Sequence, residues 1–371
     1  MIKPLRVLHV VVNMNRGGAE TLIMNLYRNM NRDKIQFDFL TFKEGVFDEE
    51  IKQLGGAIHR IPYVTATGHN GFKNNLDRFF KDNRTYTIVH SHLDKMSGLI
   101  MRTAKKAAIP IRIAHSHNTE SEGNVLQKVY KAYVAKELAS GATHRFACSE
   151  AAAKWLFHRH SNSARIIKNG IELASFLYQS KKRRDVRNAL DIPDSTVVFG
   201  HIGRFNEQKN HHHLIDIFAS VQTKNPDIML VLVGDGVLKK SVEAKVYRMG
   251  LEKNVLFLGV RPDISALLQA MDIFIMPSLH EGLPVTLIEA QCADLPCMIS
   301  ETITKEADMG LGLLHYLPLH DLNQWIFVSE QLIASDRERK SRPFALKKHG
   351  YDIKVTAEKL QSTYLDYRDS G

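Results

Sequence analysis

The segment from Ile273 to Cys292 constrains the fold more than any other stretch of this 371-residue chain. Ile273–Met276 is an apolar run short enough to be a buried parallel strand. A helical pattern follows, with Pro284 suited to the first helical position, where its missing N–H costs nothing. Between them lies the polar loop Ser278–Gly282, which the unpaired amides of the helix N-terminus must face. Such amides and the helix dipole together attract an anion. Glu281 stands in the loop, and Glu289 follows eight positions later among Val285, Leu287, Ile288, Ala290 and Cys292. A carboxylate in that company needs a hydrogen-bonding partner. Either one alone reads as half of a structural salt bridge. Two flanking one helix start, at the C-terminal end of a strand, read as groups that grip hydroxyls beside a bound phosphate.

The rest of the chain repeats the strand–loop–helix unit. Leu5–Val12, Gln36–Phe42, Ala57–Ile61, Thr87–Ser91, Ile111–Ala114 and Arg145–Ala147 read as strands separated by helical patterns. The alternation resumes at Val197–Ile202, Ile228–Val233, Val255–Leu258, Ile273–Met276 and Pro296–Ser300, and everything after Ser300 reads as helical. This predicts parallel, doubly wound sheets. A chain of this length exceeds one hydrophobic core. Two Rossmann-like α/β domains facing a cleft are therefore expected, 1–180 and 181–350, with ligands at strand C-termini. A C-terminal helix, 351–371, ends the chain.

Charge and cysteine usage narrow the function classes. The net charge of +10 suits an anionic partner, but no RNA-binding signature, zinc finger or long basic helix accompanies it, so nucleic acid is not expected. The run Lys181-Lys182-Arg183-Arg184 reads as a solvated inter-domain face. Apolar runs such as Val7–Val12 are far too short to span a bilayer. The N-terminus leads into a strand with no cleavable signal pattern, which predicts a cytoplasmic protein. Cys148, Cys292 and Cys297 have no metal-ligand spacing and read as buried thiols in a reducing compartment.

Several loops carry candidate chemistry. Gly17-Gly18 lies between a strand and a helix and is either a tight turn or a place where a phosphate approaches the backbone. Arg204 and Lys209 bracket the loop after Val197–Ile202, a fork and a point charge suited to a diphosphate. Gly234-Asp235-Gly236 either admits a ligand to the backbone or caps its strand, and Arg261 stands where a nucleobase could be met. His211-His212-His213 points three ways on a helix and marks a helix start rather than a metal site. His115 and His117, two apart on a strand end, face one side and read as substrate-facing or structural; His90 and His92 repeat the spacing. No P-loop lysine, nucleophile-elbow serine or Mg²⁺-type carboxylate cluster is present, and no metal is expected.

Taken in order, Gly17-Gly18-Ala19-Glu20, His115-Ser116-His117, Asn169-Gly170-Ile171-Glu172, Gly203-Arg204…Gln208-Lys209, Gly234-Asp235-Gly236 and Glu281-x7-Glu289 resemble the signature of the retaining GT-B glycosyltransferases of family 4, and bacterial capsule and exopolysaccharide transferases most of all. The resemblance implies that Arg204 and Lys209 hold a donor diphosphate, approached by the amides of Gly17 and Gly18. It implies that Glu289 binds ribose hydroxyls, and that Glu281 binds the transferred sugar with Gly282, Leu283, Pro284 and Val285. It places a histidine beside the reacting sugar without choosing between His115 and His117, and it sends the C-terminal helix back to the first domain. Implied partners are a nucleotide-diphosphate sugar, best matched by UDP, and a saccharide or lipid-linked saccharide acceptor, with loose contact to an anionic inner leaflet and no resident cofactor. Asp294 departs from the pattern, where relatives carry Gly. A non-hydrolysing nucleotide-sugar epimerase and a catalytically silent sugar-nucleotide-binding subunit are the competing readings. A dinucleotide oxidoreductase fails for want of a Gly fingerprint after the first strand.

Overall fold

The computed structural model describes residues 3–121, 123–335, 337–342 and 348–370. The chain divides into two compact units, Met1–Ile171 with Gly350–Gly371, and Glu172–His349.

The first unit is built on a seven-stranded parallel sheet. Its strands are β1 (Leu5–Val10), β2 (Ile35–Thr41), β3 (Ile58–Arg60), β4 (Ile88–Ser91), β5 (Ile111–Ser116), β6 (His144–Ala147) and β7 (Ala164–Ile166), in the order β3-β2-β1-β4-β5-β6-β7. The order reverses between β1 and β4, where α/β sheets leave a crevice at their strand C-termini. The helix Gly18–Asn29 buries Leu22, Ile23, Leu26 and Tyr27 in the same core that receives Ile353, Ala357, Leu360 and Tyr364 from the helix Ile353–Ser370. Those four positions follow helical spacing, so one stripe of the last helix completes this unit. Ile171 and Asp352 form a parallel bridge where the chain returns.

The second unit carries a six-stranded parallel sheet: β8 (Val197–Ile202), β9 (Ile228–Val233), β10 (Val255–Phe257), β11 (Ile273–Met276), β12 (Cys297–Ser300) and β13 (Leu314–Leu317), ordered β10-β9-β8-β11-β12-β13. Its reversal falls between β8 and β11.

The structure corrects several sequence expectations. β13 was expected to be helix; its Leu-His-Tyr-Leu pattern is too short to show a period, and its strand identity comes from pairing with β12. The helical expectation for 343–347 lies outside the described residues. The first division falls after Ile171, not after 180, because the helix Ser180–Ala189 is tied to the second unit. Arg183 and Arg187 each place a guanidinium nitrogen 2.6 Å from Asp272, and Arg187 is fully buried. Arg183 is thus an anchor rather than part of a solvated face. The first helix starts at Gly18, and Pro284 is the N-cap of the helix Val285–Cys292 rather than its first residue.

Candidate functional site

In the second unit the site grows from the two loops at the sheet's reversal. The loop after β8 contains a short turn of helix, Glu207–Lys209, capped by the Asn206 side chain accepting from the Lys209 amide. This sends the Lys209 side chain toward the loop after β11, where its Nζ lies 2.6 Å from Glu281 Oε1. Gln208 fastens the same two loops: its carbonyl accepts from the Leu279 amide at 2.8 Å, and its Nε2 donates to the His280 carbonyl at 2.9 Å. Gly203 is glycine for a reason of space, since a Cβ there would lie 2.9 Å from His201 Nε2 and 3.1 Å from Lys209 Cε. His201 is buried and donates from Nδ1 to the Ile275 carbonyl at 2.7 Å, so its Nε2 carries a lone pair beneath this loop. Arg204 is exposed, and its side chain has no hydrogen bond or ion pair among the described residues.

Behind Glu281 the segment Gly282, Leu283, Pro284, Val285 enters the helix Val285–Cys292, whose start has no side-chain cap. Its first amides are therefore left for another acceptor. Glu289 lies one further turn into the helix and retains a little solvent exposure. Its carboxylate has no hydrogen bond or ion pair among the described residues, and burial pushes it up to about 7. Cys292, one turn on, is pushed up to about 12 by burial and by the Glu289 charge.

The other candidates of this unit are engaged elsewhere. A Cβ on Gly234 would overlap the carbonyl of Gly203, and φ is +136°, so this glycine is explained by packing of two loops. Arg261 pairs with Asp263 at 2.6 Å and shares no bond with Arg204, Lys209 or Glu281 among the described residues. His211 is buried against Phe205, His212 bonds Ser241 and His213 meets the edge of Trp325, so the three rings do diverge.

In the first unit Gly17 is the N-cap of the helix Gly18–Asn29, again with no side-chain cap. A Cβ on Gly18 would meet nothing within 4 Å, so the backbone is open to approach there. His115 and His117 do face one side, their rings stacked with centroids 4.1 Å apart. They belong to a larger group. His9 of β1, His90 of β4 and His92 just after it join them, and burial holds all five rings below their ordinary pKa, His9 and His117 to about 3. Asp94 secures the strand end: its carboxylate accepts from the His117 amide at 2.9 Å and from Asn118 Nδ2 at 2.7 Å. Asp94, His9 and Tyr364 were not singled out from sequence. A lone polar residue inside the apolar run of β1 was the available signal for His9.

Comparisons with known proteins give the family. Residues 16–175 match the model of Glycosyltransferase Family 4, and residues 182–308 that of Glycosyl transferases group 1. A Bacillus subtilis (strain 168) protein named for glycosyltransferase activity, EpsF, is 37% identical over 97% of this chain and 96% of its own. An Escherichia coli UDP-Gal:alpha-D-GlcNAc-diphosphoundecaprenol alpha-1,3-galactosyltransferase is 28% identical over 76% of each chain. Among solved structures, Anabaena Alr3699/HepE in complex with UDP and glucose superimposes with a TM-score of 0.81, at 18% identity, over 97% of this chain and 99% of its own. Matched along nearly its whole length, with both sheets in place, the chain belongs to the family 4 glycosyltransferases of GT-B fold.

Proposed function

We propose that the protein is a retaining glycosyltransferase that takes its sugar from a UDP-linked donor and extends a lipid-linked saccharide of a capsule or exopolysaccharide. The observation that carries this reading is the Lys209–Glu281 contact at 2.6 Å, with Glu289, unpartnered among the described residues, in the helix that follows Glu281's loop. Glu281 then serves the sugar end of the donor, Glu289 the ribose end, and the Lys209 cation the diphosphate between them. The relatives' names support the donor class, and the galactosyltransferase relative supports a lipid-linked acceptor.

The chemistry follows from charge. Breaking the bond from the anomeric carbon to phosphate leaves negative charge on the diphosphate. Arg204, Lys209 and the uncapped helix start at Gly282–Val285 stabilise that charge as it grows. The bare helix start at Gly17-Gly18 offers a further set of amides to an anion. Glu281 orients the sugar by its hydroxyls, and Glu289 the ribose. No protein nucleophile takes part: the acceptor attacks from the leaving-group side, which keeps the anomeric configuration, and positioning supplies the remaining rate. No resident cofactor or metal belongs to this proposal.

Peripheral contact with an anionic bilayer at the cytoplasmic face is part of the same reading. The helix Val125–Ala135 exposes Val125 (77%), Leu126 (80%), Val129 (63%) and Tyr133 (60%) along one stripe, with Lys128 and Lys136 exposed beside it. An apolar stripe with basic flanks suits a headgroup boundary. Among the described residues no helix is long and apolar enough to cross a membrane.

The test is a panel of sugar nucleotides. The donor should raise the melting temperature and release UDP when a lipid-linked saccharide is added. Stabilisation without turnover would point to a silent binding subunit, and conversion of the donor without acceptor to an epimerase.

A further inference from the structure

β4 and β5 end beside the reversal of the first sheet, where α/β proteins place their ligands. The last residue of β5 that the sheet holds is Ser116: it is paired with Ala147 of β6, and its carbonyl accepts from the Cys148 amide at 3.0 Å. His117 is the first residue beyond that ladder. Among the described residues its amide donates to no backbone carbonyl; it donates to Asp94 Oδ1 at 2.9 Å. Asn118, the next residue, donates from Nδ2 to Asp94 Oδ2 at 2.7 Å. The other ties are weaker or more local: Cys148 Sγ lies 3.6 Å from the His117 carbonyl, and Ser116 Oγ lies 3.4 Å from that of Asn118. Two donors of one turn thus converge on a single carboxylate carried by the neighbouring strand's loop.

Asp94 holds this place against the preference of its own backbone. Its φ is +47°, in the left-handed region that favours glycine. Glycine would relieve the backbone and could make neither bond. Backbone strain of this kind persists where the surrounding structure holds it, and it gathers at sites whose geometry matters. The loop that carries Asp94 is itself pinned, because Ser97 Oγ accepts from the Leu93 amide at 3.2 Å and from Ser91 Oγ at 2.9 Å. Burial raises the Asp94 carboxyl above its ordinary pKa, while the bonds from His117 and Asn118 and the Lys131 charge act the other way. An N–H on each oxygen suits the ionised form, so both are charge-assisted bonds. Through the backbone they also set the His117 ring, which stacks on His115 with centroids 4.1 Å apart and lies 2.8 Å, Nε2 to Nδ1, from His92.

We propose that Asp94 is a positioning residue for transfer: its carboxylate fixes the turn His117–Asn118 beyond the end of β5, and with it the surface this strand end presents to the crevice at the strand C-termini. That the turn faces reacting groups rests on the proposed transfer; the tie between Asp94 and the turn does not. A purely structural role is one competing account. Under it the two bonds only add stability, and a variant of wild-type stability would have the wild-type rate. Glycine at position 94 separates the two, since it frees the backbone while it removes both ties. Direct contact of the Asp94 charge with substrate is the other account. Asparagine separates that one, since it keeps the shape and the two ties and removes the charge.

The test compares Asp94→Gly and Asp94→Asn with the wild type, as full-length proteins, by melting temperature, donor KM, kcat and hydrogen exchange of the His117 amide. Asp94→Gly is expected to melt close to wild type, keep donor KM, lose protection of the His117 amide and lower kcat on the order of 10²-fold, the effect of a group about 1 Å out of place. Asp94→Asn still accepts from the His117 amide, and it donates to Asn118 once that side-chain amide turns over. It should keep the protection and hold kcat within roughly fivefold of wild type. Wild-type kcat in Asp94→Gly overturns the proposal. So does a kcat in Asp94→Asn as low as in Asp94→Gly, which would make the charge itself the functional group. A wild-type His117 amide that exchanges like an unbonded loop amide overturns it whether or not either variant folds. A protected His117 amide in a protein that turns over no sugar nucleotide would uphold the tie and remove the transfer reading instead.

Discussion

Lys209 and Glu281 touch at 2.6 Å although they stand on different loops, one after β8 and one after β11, which are neighbours only because the sheet order reverses there. Both side chains are largely buried, at 15% and 8% exposure, so removing either partner leaves the other charge poorly solvated, at a cost of about 1–3 kcal/mol. The fold should survive that loss. Their functions should separate in calorimetry with UDP and with the full donor. Lys209→Ala is expected to weaken UDP itself by roughly 10–100-fold, as loss of a charge-assisted bond does. Glu281→Ala is expected to spare UDP and to lower transfer by roughly 10²–10³-fold. Retained transfer in both variants would sink the site assignment.

Arg204 is exposed and unpaired among the described residues, so its removal has no structural cost. Arg204→Ala should change stability by less than about 0.5 kcal/mol while weakening UDP by about tenfold. It should also flatten the salt dependence of UDP binding, because one screened attraction is gone. Thermal melts and titrations at two ionic strengths give the answer.

Glu289 makes stability depend on pH in a direction opposite to most carboxylates. Burial raises its carboxyl to about 7. Between the unfolded value near 4.5 and about 7 the folded state therefore holds the proton more tightly. Its contribution is fully present below the lower value and is lost as pH rises through the upper one. Wild-type stability should fall relative to Glu289→Gln between pH 5 and 8, by an amount on the order of 2 kcal/mol, read from melting curves at each pH. Parallel melting curves for the two proteins would remove burial as the cause.

Asp294 occupies a left-handed turn, φ +56°, and its buried carboxylate lies 2.8 Å from Arg337 and 3.2 Å from Arg342 and accepts from the Lys340 amide at 2.6 Å. The departure from Gly therefore has a compensating use, anchoring 337–342. Asp294→Gly relieves the backbone but loses the anchor, and Asp294→Ala loses the anchor and keeps the strain. Denaturant melts should find the alanine variant less stable than the glycine variant by about 1–2 kcal/mol.

The exposed stripe on Val125–Ala135 should act only at a membrane. Leu126→Ser with Val129→Ser is expected to lower partitioning onto phosphatidylglycerol vesicles by tenfold or more, since each apolar side chain contributes on the order of 1–2 kcal/mol when buried in the interface. Melting temperature should not move, because neither residue is in the core. Equal sedimentation with anionic and neutral vesicles at low salt would count against membrane contact.

Local pattern determined much of this protein. The short apolar runs, the turn residues between them and caps such as Ser149, whose hydroxyl accepts from the Ala152 amide, each depend on neighbours within a few positions. So does the match of Glu281-x7-Glu289 to a known signature. What the pattern lacked was any signal for residues whose meaning comes from sheet neighbours. β13 has no period of its own and is a strand because β12 is beside it. Arg183 lay in a basic run that reads as solvated, and Asp272, far away in sequence, made it an anchor. His9, His90, His92, His115 and His117 lie in or just after three strands, and only the order β1-β4-β5 brings their rings within hydrogen-bonding reach of one another. The two glutamates could be found from sequence because one loop and one helix carry them. That Lys209 reaches Glu281, and that Tyr364 reaches His90, was decided by tertiary structure, because hydrogen bonds and ion pairs depend on separation in space, which sequence distance does not measure.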